Sequence, residues 1–260
     1  MGGGGFGFGR GPTVGCGGAV ILLVLSLLTG RNFFAMFDGS GGGGQPTTAT
    51  AAPTNETPEE SESAQFASFV IKDAQDVWTK IFEQNNLQYQ RAKLVLYRDT
   101  TQTACGVGQA ASGPFYCPGD GFVYLDLAFN DELSRRFGAP GDVAQAYVIA
   151  HEVGHHVQNL LGVHERYGRN RSNEVSVAIE LQADCFAGIW AHSTAERNLL
   201  DPGEIEEGIN AAAAVGDDNI SKMSGRAISP ESFTHGSSEQ RVQWFTRGYQ
   251  SGRVADCDTF

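Results

Sequence analysis

His151-Glu152-Val153-Gly154-His155 sets two imidazoles four residues apart with a carboxylate beside the first. On a helix, residues four apart share a face one turn along the axis, so both rings can reach one metal ion. Glu152 then lies where it can take a proton from a water at that metal. The pattern points to zinc and to peptide hydrolysis. Catalytic zinc takes three protein ligands and leaves a position to water, so another ligand must come from elsewhere in the chain.

The candidates separate by geometry. His156 is rotated about 100° from His155 around a helix and reads as structural. A longer H-E-x-x-H-x-x-G-x-x-H pattern needs glycine at 158 and histidine at 161, where this chain has Gln158 and Leu161, so His164 is out of register. Glu180 and Asp184 stand one turn apart in an otherwise apolar segment, with Ala183, Ala187 and Gly188 small enough for close helix approach. Glu180 is assigned to the metal. Asp184 is assigned to the free ring nitrogen of a ligand histidine, as carboxylates behind zinc sites do. The reverse assignment, Asp184 on zinc, stays open.

These residues need helices to position them. Val143, Ala146, Tyr147, Ala150, Val153, Val157, Leu160 and Leu161 recur at three- and four-residue steps, predicting a helix over Asp142 to Leu161, capped by Asp142 and ended by Gly162. Gly154 is costly inside a helix and implies close approach of another backbone or of the metal site. A second apolar helix is expected over Glu174 to Glu196. Pro58 to Asn85 reads as the first helix of the domain, with Phe66, Phe69, Val70, Ala74, Val77, Trp78, Ile81 and Phe82 on one side. Leu94 to Tyr97 and Phe122 to Leu125 are strand-like runs. Further helices are expected over Glu204 to Val215 and Ser237 to Tyr249. Asp217 and Asp218 read as capping and solvating a helix end.

Motifs along most of the chain carry a resemblance: Thr103 to Gly106, Gly113 to Pro118, Val123 to Asp126, His151 to Gln158, Glu180 to Asp184, Asn210 to Asp218 and Phe233 to Ser238. The chain resembles a bacterial family of neutral zinc metallopeptidases, gluzincin-like in following H-E-x-x-H with E-x-x-x-D. The resemblance implies an α+β zincin fold, mainly helical with a small antiparallel sheet. It also implies a role for His235: similar enzymes carry a histidine in a late turn followed by an arginine, as Thr234-His235-Gly236 and Arg241 stand here. His235 would steady the oxyanion that builds up on an attacked carbonyl. In zincins a strand before the active helix lines the cleft and pairs with the substrate backbone, which would place Phe122 to Leu127 there.

The N-terminal part is different in kind. It holds nearly half of the chain's 34 glycines, and Ala19 to Leu28 is an uncharged apolar run dominated by Leu, Ile and Val. The expected organisation is a Gly-rich tail over 1–13, a transmembrane anchor over 14–37, a Gly/Thr/Pro tether over 38–57 and the zinc metallopeptidase domain over 58–260. An uncleaved anchor is preferred to a signal peptide because no small-x-small site follows Leu28.

The formal net charge is −12, and Arg10 and Arg31 cancel Asp38 and Glu56, so the whole excess lies in the domain. That balance argues against nucleic acid as a partner. Membrane attachment must then come from the anchor rather than from surface charge. Of five cysteines, Cys105 and Cys117 flank a Gly/Pro-rich loop and suggest a local disulfide, leaving Cys185 and Cys257; sequence alone permits three connectivities. Disulfides suit an oxidising compartment. The resulting expectation is a single-pass membrane-anchored zinc endopeptidase outside the cytoplasm, cleaving protein or peptide with a water at zinc that Glu152 activates. Its rival is a zinc-stabilised envelope binding or scaffolding protein that cleaves nothing.

Overall fold

The computed structural model describes residues 57–109, 113–129, 133–135, 138, 141–167, 172–201, 203–225 and 229–260. The expected tail and anchor, and all of the tether except Thr57, lie outside these. Among the described residues no helix is long and apolar enough to cross a membrane.

Helix α1 (Pro58–Gln84) starts where the local chemistry says it should. The Thr57 hydroxyl accepts from the Glu60 backbone, Glu60 reaches back to the Thr57 N–H, and Pro58 occupies the first turn where a missing N–H costs nothing. Its buried stripe is Ala67, Val70, Ile71, Ala74, Val77, Trp78 and Phe82. Phe69, expected on this face, is 55% exposed. One residue from Val70, it is rotated off the stripe by the helical repeat.

Five short strands follow: β1 (Lys93–Tyr97), β2 (Thr100–Thr103), β3 (Gly106–Gln109), β4 (Phe115–Cys117) and β5 (Phe122–Asp126). β2 and β3 form an antiparallel hairpin, and the other three form a sheet in the order β1-β5-β4. The sheet is mixed, which corrects the antiparallel expectation: β5 runs parallel to β1 and antiparallel to β4. The intervening hairpin and β4 supply the long excursion a parallel return requires. β5 is the inner strand, paired with β1 over Phe122 to Asp126 and with β4 over Phe122 to Tyr124. The strand beside the active helix is β4, tied by the Cys105–Cys117 disulfide to the hairpin turn.

Helices α2 (Asp142–Leu160), α3 (Val163–Tyr167), α4 (Asn173–Glu196), α5 (Glu204–Ala214), α6 (Asp217–Ser224) and α7 (Ser238–Ser251) follow, with short 3-10 turns at Pro230–Ser232 and Val254–Asp256. α2 begins at Gly141 rather than on an Asp142 cap; Gly141 has φ 117°, a conformation open to glycine, and Asp142 sits in the first turn. At the other end Gly162 has φ 73°, past the last turn of α2. α2, α4 and α7 pack with α1 around one core, where Trp78 of α1 meets Phe186 of α4 edge to face at 5.1 Å.

Small residues set how closely the helices approach. A Cβ on Gly154 would stand 2.9 Å from the Ala183 carbonyl oxygen, so the cost of this glycine in α2 is offset by contact with the α4 backbone. Gly188 of α4 faces the Phe245 carbonyl, and Gly248 of α7 faces the Cys185 carbonyl. Gly248→Ala therefore has no space to relax into and is expected to cost at least about 1–3 kcal/mol, read from the urea midpoint. A change below ~0.5 kcal/mol, the range of ordinary surface substitutions, would contradict this packing. The Cys185–Cys257 disulfide closes the same region by joining α4 to the segment after α7.

Candidate metal centre

Mid-helix on α2, the His151 and His155 rings lie 4.7 Å apart between centroids. Glu180 enters from the facing side of α4: one carboxylate oxygen is 3.2 Å from His151 Nε2 and the other 3.5 Å from His155 Nε2. One ligand atom from each of the three residues lies within 4.8 Å of the others, and among the described residues this is the group able to hold a metal. Two imidazole nitrogens and a carboxylate oxygen are the donor set of a catalytic zinc site. The residues fit the ion.

Asp184, one turn beyond Glu180, lies behind His151. It accepts from His151 Nδ1 at 2.8 Å, from the Tyr147 hydroxyl at 2.5 Å, and from Arg241 Nε and Nη2 at 2.8 and 2.9 Å. Asp184 is fully buried and Arg241 nearly so. Burial alone would raise the Asp184 carboxyl, but the Arg241 and His151 charges outweigh it and hold it low. A carboxylate can only accept, so Nδ1 of His151 carries a proton and Nε2, on the Glu180 side, is the nitrogen that would ligate a metal. Burial disfavours the His151 imidazolium, yet Asp184 and Glu180 together raise its pKa to about 9. At His155 burial dominates over the Glu180 charge and lowers the pKa to about 4.

Glu152 is buried beside the triad. Burial raises its carboxyl to about 7, against the lowering effects of His151 and of a hydrogen bond from the Tyr116 backbone on β4. Such a group can take and return a proton near neutral pH.

His235 reaches the site from the turn before α7. Asp217 accepts from its Nδ1 at 3.0 Å and from the Thr234 and His235 backbone N–H groups at 2.7 Å each. Burial lowers the His235 pKa, but the Asp217 hydrogen bond and the Glu180 charge win and raise it. The reading of Asp217 as a solvated helix end is corrected: it is 4% exposed and clamps His235. Asp218 does act at a helix start, accepting from Ser238 N and Oγ.

The other histidines fall outside the triad. His156 bonds the Tyr116 hydroxyl and the Gln90 carbonyl, a structural role. The His164 ring stands 6.5 Å from that of His155, with its Nε2 buried and unpartnered among the described residues. Sequence reasoning missed Tyr147, which reads as one more apolar position of α2. The available signal was its place one turn before His151, on the same face.

No solved structure matches the chain. The uncharacterized protein YpfJ of Escherichia coli (strain K12) is 45% identical over 250 residues, covering 94% of this chain and 86% of that protein. The uncharacterized protein Rv2575 of Mycobacterium tuberculosis (strain ATCC 25618 / H37Rv) is 44% identical over 185 residues, covering 66% of this chain and 63% of that protein. The family described as "Putative neutral zinc metallopeptidase" matches residues 1–260. With that match along the whole chain, and a His-His-Glu group able to bind the metal the family is named for, the chain belongs to this zinc peptidase family.

Proposed function

We propose that this protein is a zinc-dependent endopeptidase whose metal is held by His151, His155 and Glu180. The observation that carries the reading is the convergence of these three donors beside a buried Glu152. Bound there, zinc supplies a Lewis acid that polarises a carbonyl and lowers the pKa of water. Glu152 takes the proton of the attacking water and returns it to the leaving amine. His235, oriented by Asp217, which also favours its protonated form, donates to the oxyanion that forms on the scissile carbonyl. A purely structural zinc usually has four protein ligands, and the donor set here has three, leaving room for substrate.

The same proposal places the domain outside the cytoplasm, behind a single-pass anchor over 14–37. Its support is the pair of disulfides, which persist in oxidising compartments, and the uncharged apolar run over Ala19 to Leu28. Protein or peptide is the substrate.

The test uses the full chain in detergent, with metal content and casein cleavage measured on wild type and Glu180→Ala. The expected result is about one zinc per chain with cleavage in wild type, and loss of both in the variant. Zinc retained by Glu180→Ala overturns the ligand set. Zinc bound with no cleavage of casein or any unfolded protein overturns the peptidase reading in favour of a binding role.

A further inference from the structure

His151 and His155 are oriented by different chemistry. Asp184 serves His151 as a charged acceptor; behind His155 stands a chain of neutral amides. We propose that Gln158 and Gln182 form a one-way hydrogen-bond relay, anchored at the Cys257 carbonyl, which holds His155 with its proton on Nδ1 and its Nε2 lone pair towards Glu180. The inference rests on the zinc-site reading and deepens it.

The direction of the relay follows from its far end. A backbone carbonyl can only accept, and Gln182 Nε2 donates to the Cys257 oxygen at 3.0 Å. Gln182 Oε1 is thereby turned the other way, where it accepts from Gln158 Nε2 at 3.1 Å. The same Gln158 amide donates to the Ile179 carbonyl at 2.7 Å. Both Gln158 N–H bonds are committed, so its Oε1 is what faces His155, at 2.9 Å from Nδ1. An oxygen there accepts, and the imidazole must donate. Turning over either amide would set like groups against each other at several buried contacts, since Gln158 is fully buried and Gln182 8% exposed.

The anchor is covalently secured. Cys257 is bonded to Cys185, which belongs to the same helix as Gln182 and Glu180. The adjoining residues hold the segment along α4: the Thr259 hydroxyl donates to the Ala178 carbonyl at 2.7 Å, and Phe260 stacks on Tyr167 at 3.9 Å. The segment after α7 thus reaches the metal centre without touching it. Neither glutamine contacts the metal or the substrate in this arrangement. They are positioning residues, acting through His155.

The experiment compares the full-length wild type with Gln158→Leu and Gln182→Leu. The ring-nitrogen tautomer of His155 is read in the zinc-free protein from two-bond 1H–15N spectra, the signal being identified by its loss in His155→Gln. Zinc affinity is read by chelator competition, and folding by thermal melting of the zinc-free form. Wild type is expected to hold the Nδ1–H tautomer. Gln158→Leu is expected to populate the Nε2–H tautomer and weaken zinc about 10- to 100-fold, the usual effect of removing a ligand's orienting partner. Gln182→Leu, which leaves Gln158 its bond to Ile179, is expected to shift both readouts in the same direction by less. Melting loss in Gln158→Leu with tautomer and zinc affinity unchanged would show packing alone and overturn the relay. An Nε2–H tautomer in wild type overturns it directly. If wild type binds no zinc, the metal-centre reading fails, while the tautomer spectra still judge the relay.

Discussion

Glu152→Gln keeps its zinc and loses turnover by about 10³-fold, the middle of the range for a positioned general base. The two halves of this expectation come from different atoms. Under the proposed ligand set metal content depends on His151, His155 and Glu180, whose donor atoms lie within 4.8 Å of one another; Glu152 is not in that group. Gln preserves the size of the buried side chain and keeps an oxygen for the Tyr116 backbone N–H, so the site retains its shape. What disappears is a group able to hold a proton near neutral pH, the property that burial confers by raising Glu152 to about 7. The checks are metal analysis and steady-state cleavage on the same preparation. Activity within about tenfold of wild type removes Glu152 from the mechanism. Loss of zinc makes it part of the metal's coordination instead.

The parts of this site that were legible in the sequence are those with local periodicity. His151, Glu152 and His155 sit in one helix, and Glu180 with Asp184 in another, so a single spacing rule applies to each set. The sequence favoured Glu180 over Asp184 as the ligand without excluding the reverse. The choice depends on which ring nitrogen of His151 each carboxylate meets: Nε2 for Glu180, Nδ1 for Asp184. Spacing along α4 cannot distinguish two acids on one face. Asp217 was misread because an acidic pair at a helix start is common, and its burial depends on a turn 17 residues away in sequence at Thr234. The mixed sheet escaped for a similar reason. β5 enters between β1 and β4, a long-range pairing that strand patterns do not record. The amide relay is wholly tertiary, joining α2, α4 and the Cys257 carbonyl.

Asp184→Ala is expected to be the most destabilising single change at the centre, costing about 3–5 kcal/mol in a denaturant titration of the zinc-free protein. The cost is less the lost pair than what it leaves behind. Arg241, 4% exposed, keeps its charge in the core without its carboxylate, and the Tyr147 hydroxyl and His151 Nδ1 lose their acceptor. Each is a buried polar group that water cannot readily reach. The double variant Asp184→Leu/Arg241→Met separates folding from metal positioning. Replacing both charges by apolar side chains of comparable volume should recover most of the lost stability, because the desolvation cost disappears with the pair. It should not recover zinc affinity, since nothing then holds His151 as the Nδ1–H tautomer with Nε2 towards Glu180. If the double variant regains both, Asp184 and Arg241 matter only as a buried ion pair. If it regains stability alone, the pair is retained for the orientation of one imidazole, at a cost in folding free energy that an apolar core would avoid.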